Sequence, residues 1–223
     1  MKSAARTVRE AGAGSSARRR GQQALARGEW QAAAALLTEA VAQDPADAGA
    51  WESLGNVRMW LQDTAGEVEA RQRACELYRV RGEDAAAARC CLDLVWVFME
   101  VRGEPAVANG WFQRAQRLLE PLPPAPEHGL LGVFMAYGAL DEDPAAAAAH
   151  AAAAVSMAEA TGAADIGTLA RALHGLALVT QGRAGDGMSL LDEAVAAAIS
   201  REIRDPQWFY FTCCCMIDAC DRV

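Results

Sequence analysis

A helical hairpin recurs within the first eighty residues, and its period confines the chain to architectures built by stacking like units side by side. Residues Ala17 to Pro45 read as a helix, a short turn at Arg27-Gly28-Glu29, and a second helix from Trp30 through Gln43 that stops before Asp44-Pro45. The next stretch opens with Trp51, Leu54 and Gly55, turns near Gln62-Asp63-Thr64, and carries Ala74 and Leu77 on its second helix. Gly21 and Gly55 fall about 34 residues apart. Two antiparallel helices close only where small residues sit at the crossing and bulky ones fill the groove beside it. Gly21, Ala33 and Ala40 supply the small positions, Trp30 and Leu37 the bulk, and Pro45 redirects the chain. In the second hairpin Glu67 and Arg71 stand where small and large apolar residues are expected.

That period is the tetratricopeptide period, and further hairpins follow with looser spacing. Asp84 to Arg102, the turn Gly103-Glu104-Pro105, and Ala106 to Leu119 form a third, with Pro105 in the first turn of its second helix. Pro121, Pro123, Pro124 and Pro126 interrupt the chain, and helical pairs resume at once, so this stretch reads as an inter-helix loop in preference to a domain linker. A fourth pair runs from Glu127 to Leu140 and Ala145 to Thr161, a fifth from Asp165 to Gln181 and Asp186 to Ser200. Asp205 to Val223 reads as one more helix, capped by Asp205 and started by Pro206, with no partner of its own. The expected fold is an all-α, right-handed α-solenoid of about five tetratricopeptide-like hairpins plus one unpaired C-terminal helix over residues 17–223, preceded by a flexible basic leader over residues 1–16.

Composition agrees. Of 223 residues, 52% are hydrophobic and only 6% aromatic, which favours closely packed helices and excludes an all-β fold. A formal net charge of −8 repels polyanions, so the chain lacks the electrostatic footprint of a stand-alone nucleic-acid binder. The N-terminal residues never reach the apolar run of a secretory signal, and the longest low-polarity stretch, Ala145 to Val155, is too short and too weakly apolar to span a bilayer. A cytoplasmic location with no membrane partner is the expectation. Seven cysteines, with Cys90-Cys91 and Cys213-Cys214-Cys215 adjacent, form no spaced disulfide framework, so reduced and mostly buried thiols are expected.

The run Arg102-Gly103-Glu104 through Gly110-Trp111-Phe112-Gln113-Arg114-Ala115-Gln116-Arg117-Leu118-Leu119-Glu120 resembles the tetratricopeptide segment of LuxR-type transcriptional regulators. So do Gln181-Gly182-Arg183, Gly187-Met188-Ser189-Leu190-Leu191-Asp192-Glu193-Ala194, and Cys215-Met216-Ile217-Asp218-Ala219-Cys220, in their order and spacing. In that family the repeats precede a DNA-reading helix-turn-helix and serve signal input or self-association. The resemblance implies no catalytic residue. The sequence departs from the full pattern in holding no helix-turn-helix, so no direct DNA binding is expected of it.

Candidate chemistry is sparse. Three adjacent helical cysteines point about 100° apart and cannot converge on one ion; only Cys213 and Cys220 share a face, and small core residues are the better reading. His128, His150 and His174 show no metal-pair spacing, and the loop Gly182-Arg183-Ala184-Gly185-Asp186-Gly187 lacks a P-loop ending and follows a helix. Lys2, Arg6 and Arg9, with Arg18-Arg19-Arg20, form either an arm that touches nucleic acid or an acidic partner, or a flexible leader followed by the solvated face of the first helix. No catalytic, cofactor or metal site is assigned. Stacked hairpins present the first helix of each pair on a concave face, so a protein or peptide partner is expected there, met by Gln22, Arg58, Gln62, Asp93 and Arg171. The aromatic cluster Trp208, Phe209 and Phe211 on the last helix is the candidate surface for homo-oligomer formation. Trp60, Trp96 and Trp111 read as core. The alternative from another class is a small-molecule sensor or enzyme with a pocket between helices, lined by the cysteines and Trp96.

Overall fold

The computed structural model describes residues 16–200, 203 and 205–223; Lys2, Arg6, Arg9 and the expected leader, up to residue 15, lie outside the described residues. Among the described residues the chain is helical throughout, with short connections, and it divides into two compact units, Met1–Glu120 and Pro121–Val223.

The first unit holds three antiparallel pairs. Helix α1 (residues 16–26) pairs with α2 (Trp30–Gln43), α3 (Ala48–Trp60) with α4 (Thr64–Val80), and α5 (Asp84–Trp96) with α6 (Pro105–Leu119). A π-helical turn, Val97–Val101, continues α5, and Arg102 lies over the Phe98 ring at 5.1 Å. The second unit begins with α7 (Pro126–Ala139) and α8 (Pro144–Thr161), continues with α9 (Ala164–Thr180) and α10 (Ala184–Ile199), and ends in α11 (Pro206–Arg222).

Local chemistry sets these boundaries. Asp47, Asp63, Asp143 and Asp205 each accept a hydrogen bond from an amide in the first turn of the helix that follows, removing one of its orphan donors. Pro stands at the start of α6, α7, α8 and α11, where its missing N–H costs nothing. His128 adds a cap of its own, its Nδ1 accepting from the Ala125 N–H at 3.2 Å ahead of α7.

Apolar contact then holds the pairs together. One cluster in the first unit joins Ala17, Ala24, Ala33, Leu37, Ala40, Leu54 and Val57; another in the second joins Ala151, Leu169, Leu173, Leu176, Leu191 and Ala194. Helix α11 lacks a hairpin partner but does not stand alone. It packs on α9 and α10, burying Cys215 and Ala219, and Arg222 reaches Asp141 at 3.0 Å. The expected unpaired helix thus closes the apolar side of the last pair.

Candidate interaction face and the polar seam behind it

A glycine on the first helix of a pair meets a long side chain sixteen residues later on the second, and this happens three times. A Cβ on Gly21 would lie 2.7 Å from Leu37 Cγ, one on Gly55 2.9 Å from Arg71 Cγ, and one on Gly175 2.9 Å from Leu191 Cγ. Arg71 therefore occupies the place that leucine fills in the other two hairpins, its aliphatic stem packed on the glycine. Glu67 takes the place of Ala33, one turn earlier.

The guanidinium of Arg71 is buried, only 1% exposed, and fully engaged. Its Nε donates to Glu67 Oε1 at 2.8 Å, and its Nη1 donates to Asn56 Oδ1 at 3.2 Å and to Asp93 on α5. One cation faces two buried carboxylates, so a proton on either acid neutralises the group. Burial accordingly raises Glu67 against the pull of Arg71, and pushes Asp93 up to about 6 against the same pull. Burial opposes the charge on Arg71 too, but Asp93 and Glu67 outweigh it.

The same α4–α5 contact continues as a seam. One turn along α4 from Arg71, and two residues back along α5 from Asp93, Cys75 Sγ and Cys91 Sγ lie 3.5 Å apart. A further turn on, Tyr78 Oη donates to Glu52 Oε2 at 2.6 Å, and Arg89 Nε donates to Glu52 Oε1 at 2.7 Å. Burial, then the Glu52 carboxylate, raise the Tyr78 phenol.

These contacts also tie the first helices to one another. Gln22 Nε2 on α1 donates to Ser53 Oγ on α3 at 3.0 Å, Arg18 pairs with Asp47 at 2.7 Å, and Glu52 on α3 holds Arg89 on α5. Gln22 is exposed and Arg89 partly so, leaving a polar face whose side chains are held in place from behind.

The five residues expected to meet a partner are dispersed. Gln22 lies on this face. Asp93 does not: it is 8% exposed and bonded to the buried guanidinium of Arg71 across the α4–α5 contact. Gln62 falls beyond the end of α3, in the turn, with φ 58°, the left-handed conformation that Gly28, Gly82 and Gly182 adopt in three other turns. Arg58 is on α3 but turns toward the start of α4, donating to the Gly66 carbonyl at 2.8 Å and pairing with Asp63 at 3.7 Å. Arg171, in the second unit, is half-buried with Glu159 at 4.0 Å. Sequence reasoning missed Arg71 and Glu67 as a site, although their misfit in the repeat was the signal.

On α11, Trp208 and Phe211 pack against the core of the second unit, whereas Phe209 is exposed, as are Tyr210 and Ile217, which were not expected. The cysteines fall apart into Cys75, Cys90 and Cys91 in the first unit and Cys213, Cys214, Cys215 and Cys220 in the second. Burial raises the Cys215 thiol to about 12. Among the described residues no three His, Cys, Asp or Glu side chains gather as a metal site, and no helix is long and apolar enough to cross a membrane. Trp60 stacks on Trp30 at 5.1 Å, and Arg114 lies over Trp111 at 5.2 Å, so both indoles are half-buried supports.

No protein-family model matches the sequence, and no curated protein matches it. Solved structures do. BtubC (BKLC) from P. vanneervenii superposes with a TM-score of 0.61 at 12% identity, over 88% of this chain and 91% of that one. TTC0263, a thermophilic TPR protein in Thermus thermophilus, gives 0.60 at 18% identity, over 92% and 100%. The APC/C hetero-tetramer Cut9-Hcn1 gives 0.63 at 15% identity, over 91% of this chain and 40% of that one. At these identities the likeness is one of fold. The protein is an all-α, tetratricopeptide-like solenoid of helical hairpins.

Proposed function

We propose that the chain is a non-catalytic recognition module that binds a segment of a protein partner across the first helices of its first unit, α1, α3 and α5. The observation that carries this reading is the fixed polar face. Glu52 is held by both Tyr78 and Arg89, and Gln22 by Ser53, so the side chains are ordered before a partner arrives and less entropy is lost on binding. The finer context is the signal-input part of a LuxR-type transcriptional regulatory system, a reading supported by the resemblance of residues 102–120, 181–194 and 215–220. A photo-crosslinking residue at Gln22, compared with one at exposed Glu39 on α2, tests both in a lysate of the source organism. A protein adduct at position 22 alone supports the face, and a helix-turn-helix protein in that adduct supports the regulatory context; equal labelling at both positions overturns the proposal.

The second unit offers a different surface, and we propose that it mediates self-association. Tyr210 and Ile217, 56% and 63% exposed, flank half-buried Cys213 and Cys214 on α11, and Phe209 adjoins them. Sedimentation velocity across a concentration series should show a dimer that Ile217→Asp abolishes; an unchanging monomer would remove the idea.

A further inference from the structure

Beside the ion group of the α4–α5 seam, two thiols hydrogen-bond to each other. Cys75 and Cys91 are 1% and 0% exposed, and their sulfurs are 3.5 Å apart, each being the other's hydrogen-bond partner. A covalent bond requires an S–S separation of about 2.0 Å, so the sulfurs must close by roughly 1.5 Å to be joined. The helices are already held in register at either side of the pair, by Arg71 and Asp93 on one flank and by Tyr78 and Arg89 on Glu52 at the other. Thiol reactivity is graded in the useful order. The hydrogen bond from Cys91 lowers Cys75 to about 7 against burial, with Arg114 and Arg79 adding to the effect, while that bond and burial raise Cys91.

We propose that Cys75 and Cys91 are a peroxide-sensitive pair whose oxidation to an intramolecular disulfide staples α4 to α5. The Cys75 thiolate attacks the O–O bond of the peroxide, giving a sulfenic acid and, with one proton, water. Cys91 sulfur then attacks the sulfenic sulfur; the S–S bond forms, the S–O bond breaks, and the departing hydroxide takes the Cys91 proton as a second water. Two thiols lose two electrons in total, and one hydrogen peroxide is reduced.

Stoichiometric hydrogen peroxide added to the reduced full-length chain, followed by alkylation and peptide mapping, tests this. The expected product is a peptide containing Cys75 joined to the one containing Cys91, lighter by two hydrogens and restored by dithiothreitol, with fragmentation separating Cys91 from Cys90. Its urea midpoint should exceed that of the reduced chain. In Cys91→Ser, which keeps a hydrogen-bond donor to Cys75 but cannot resolve it, dimedone should trap Cys75 as sulfenic acid, whereas the wild-type chain should not retain the label. Recovery of Cys75 and Cys91 as free thiols while exposed Cys220 consumes the oxidant overturns the proposal, as does a bridged form with a lowered midpoint.

Discussion

Arg71 is the residue on which the first unit turns, because a guanidinium at a leucine position must bring its counter-charges with it. Replacing it by methionine keeps the stem but leaves Glu67 and Asp93 buried without a cation, and should cost about 3–5 kcal/mol in urea unfolding. Asp93→Asn, in contrast, retains an acceptor for Arg71 and removes the surplus negative charge, so at neutral pH it should equal or exceed the parent. The pH dependence has a definite sign. Burial puts the folded value of Asp93 at about 6, above its ordinary 3.8, so the folded chain holds the proton more tightly. The stability contributed by that proton is complete below pH 3.8 and is lost as the pH rises through about 6, a change of about 3 kcal/mol. The difference in unfolding free energy between parent and Asp93→Asn should therefore fall between pH 4 and 7; a flat difference would show that Asp93 titrates normally in the fold. Glu67 and Arg71 were legible as misfits in the repeat, and their spacing of four places them on one helix face. Asp93 was not, since the register of α5 against α4 is a tertiary fact absent from either helix's own pattern, and the same ignorance hid the contact of Cys75 with Cys91.

At the scale of elements, α9 and α10 approach each other through glycine. A Cβ on Gly175 would meet the Gly187 carbonyl oxygen at 2.7 Å, and one on Gly187 would meet Val179 Cγ2 at 2.7 Å and Val179 N at 2.8 Å, so backbone faces backbone. Gly187→Ala must push the helices apart and should lower stability by about 1–3 kcal/mol. Gly110, exposed in the interior of α6 with open space about it, is the internal contrast: Gly110→Ala should raise stability by about 0.5–1 kcal/mol. Thermal melts of the two variants check both signs, and equal shifts would refute the packing argument. Helix positions, the proline starts and the Asp205 cap could all be read in advance, because each is a local preference of a few consecutive residues. The turn near Gln62 was legible too, but the left-handed conformation of a non-glycine residue within it was not, so Gln62 was counted with the partner-facing residues of α3. On α11, Trp208 and Phe211 are as apolar as Phe209, so only the packing against α9 and α10 distinguishes the partly buried rings from the exposed one.

The division of the whole molecule into two units falls just before the proline-rich stretch that begins at Pro121. The large apolar cluster of the second unit draws all its members from residues 133–219, and α11 supplies its last face through Cys215 and Ala219, with Trp208, Phe211 and Met216 packed beside them. A fragment over residues 121–223 therefore contains every partner of that cluster and should melt cooperatively, with a helical circular-dichroism spectrum. Removing α11 from the fragment uncovers the sides of α9 and α10 against which Cys215 and Ala219 pack. Repeat arrays are stabilised through contacts between neighbours, so the shortened fragment loses the packing that its last hairpin makes with nothing else. It should melt at lower temperature with a broadened transition and bind an apolar dye. A non-cooperative melt for residues 121–223 would show that the cluster is not sufficient to fold them, while an unaltered melt without α11 would show that the last helix is dispensable to it.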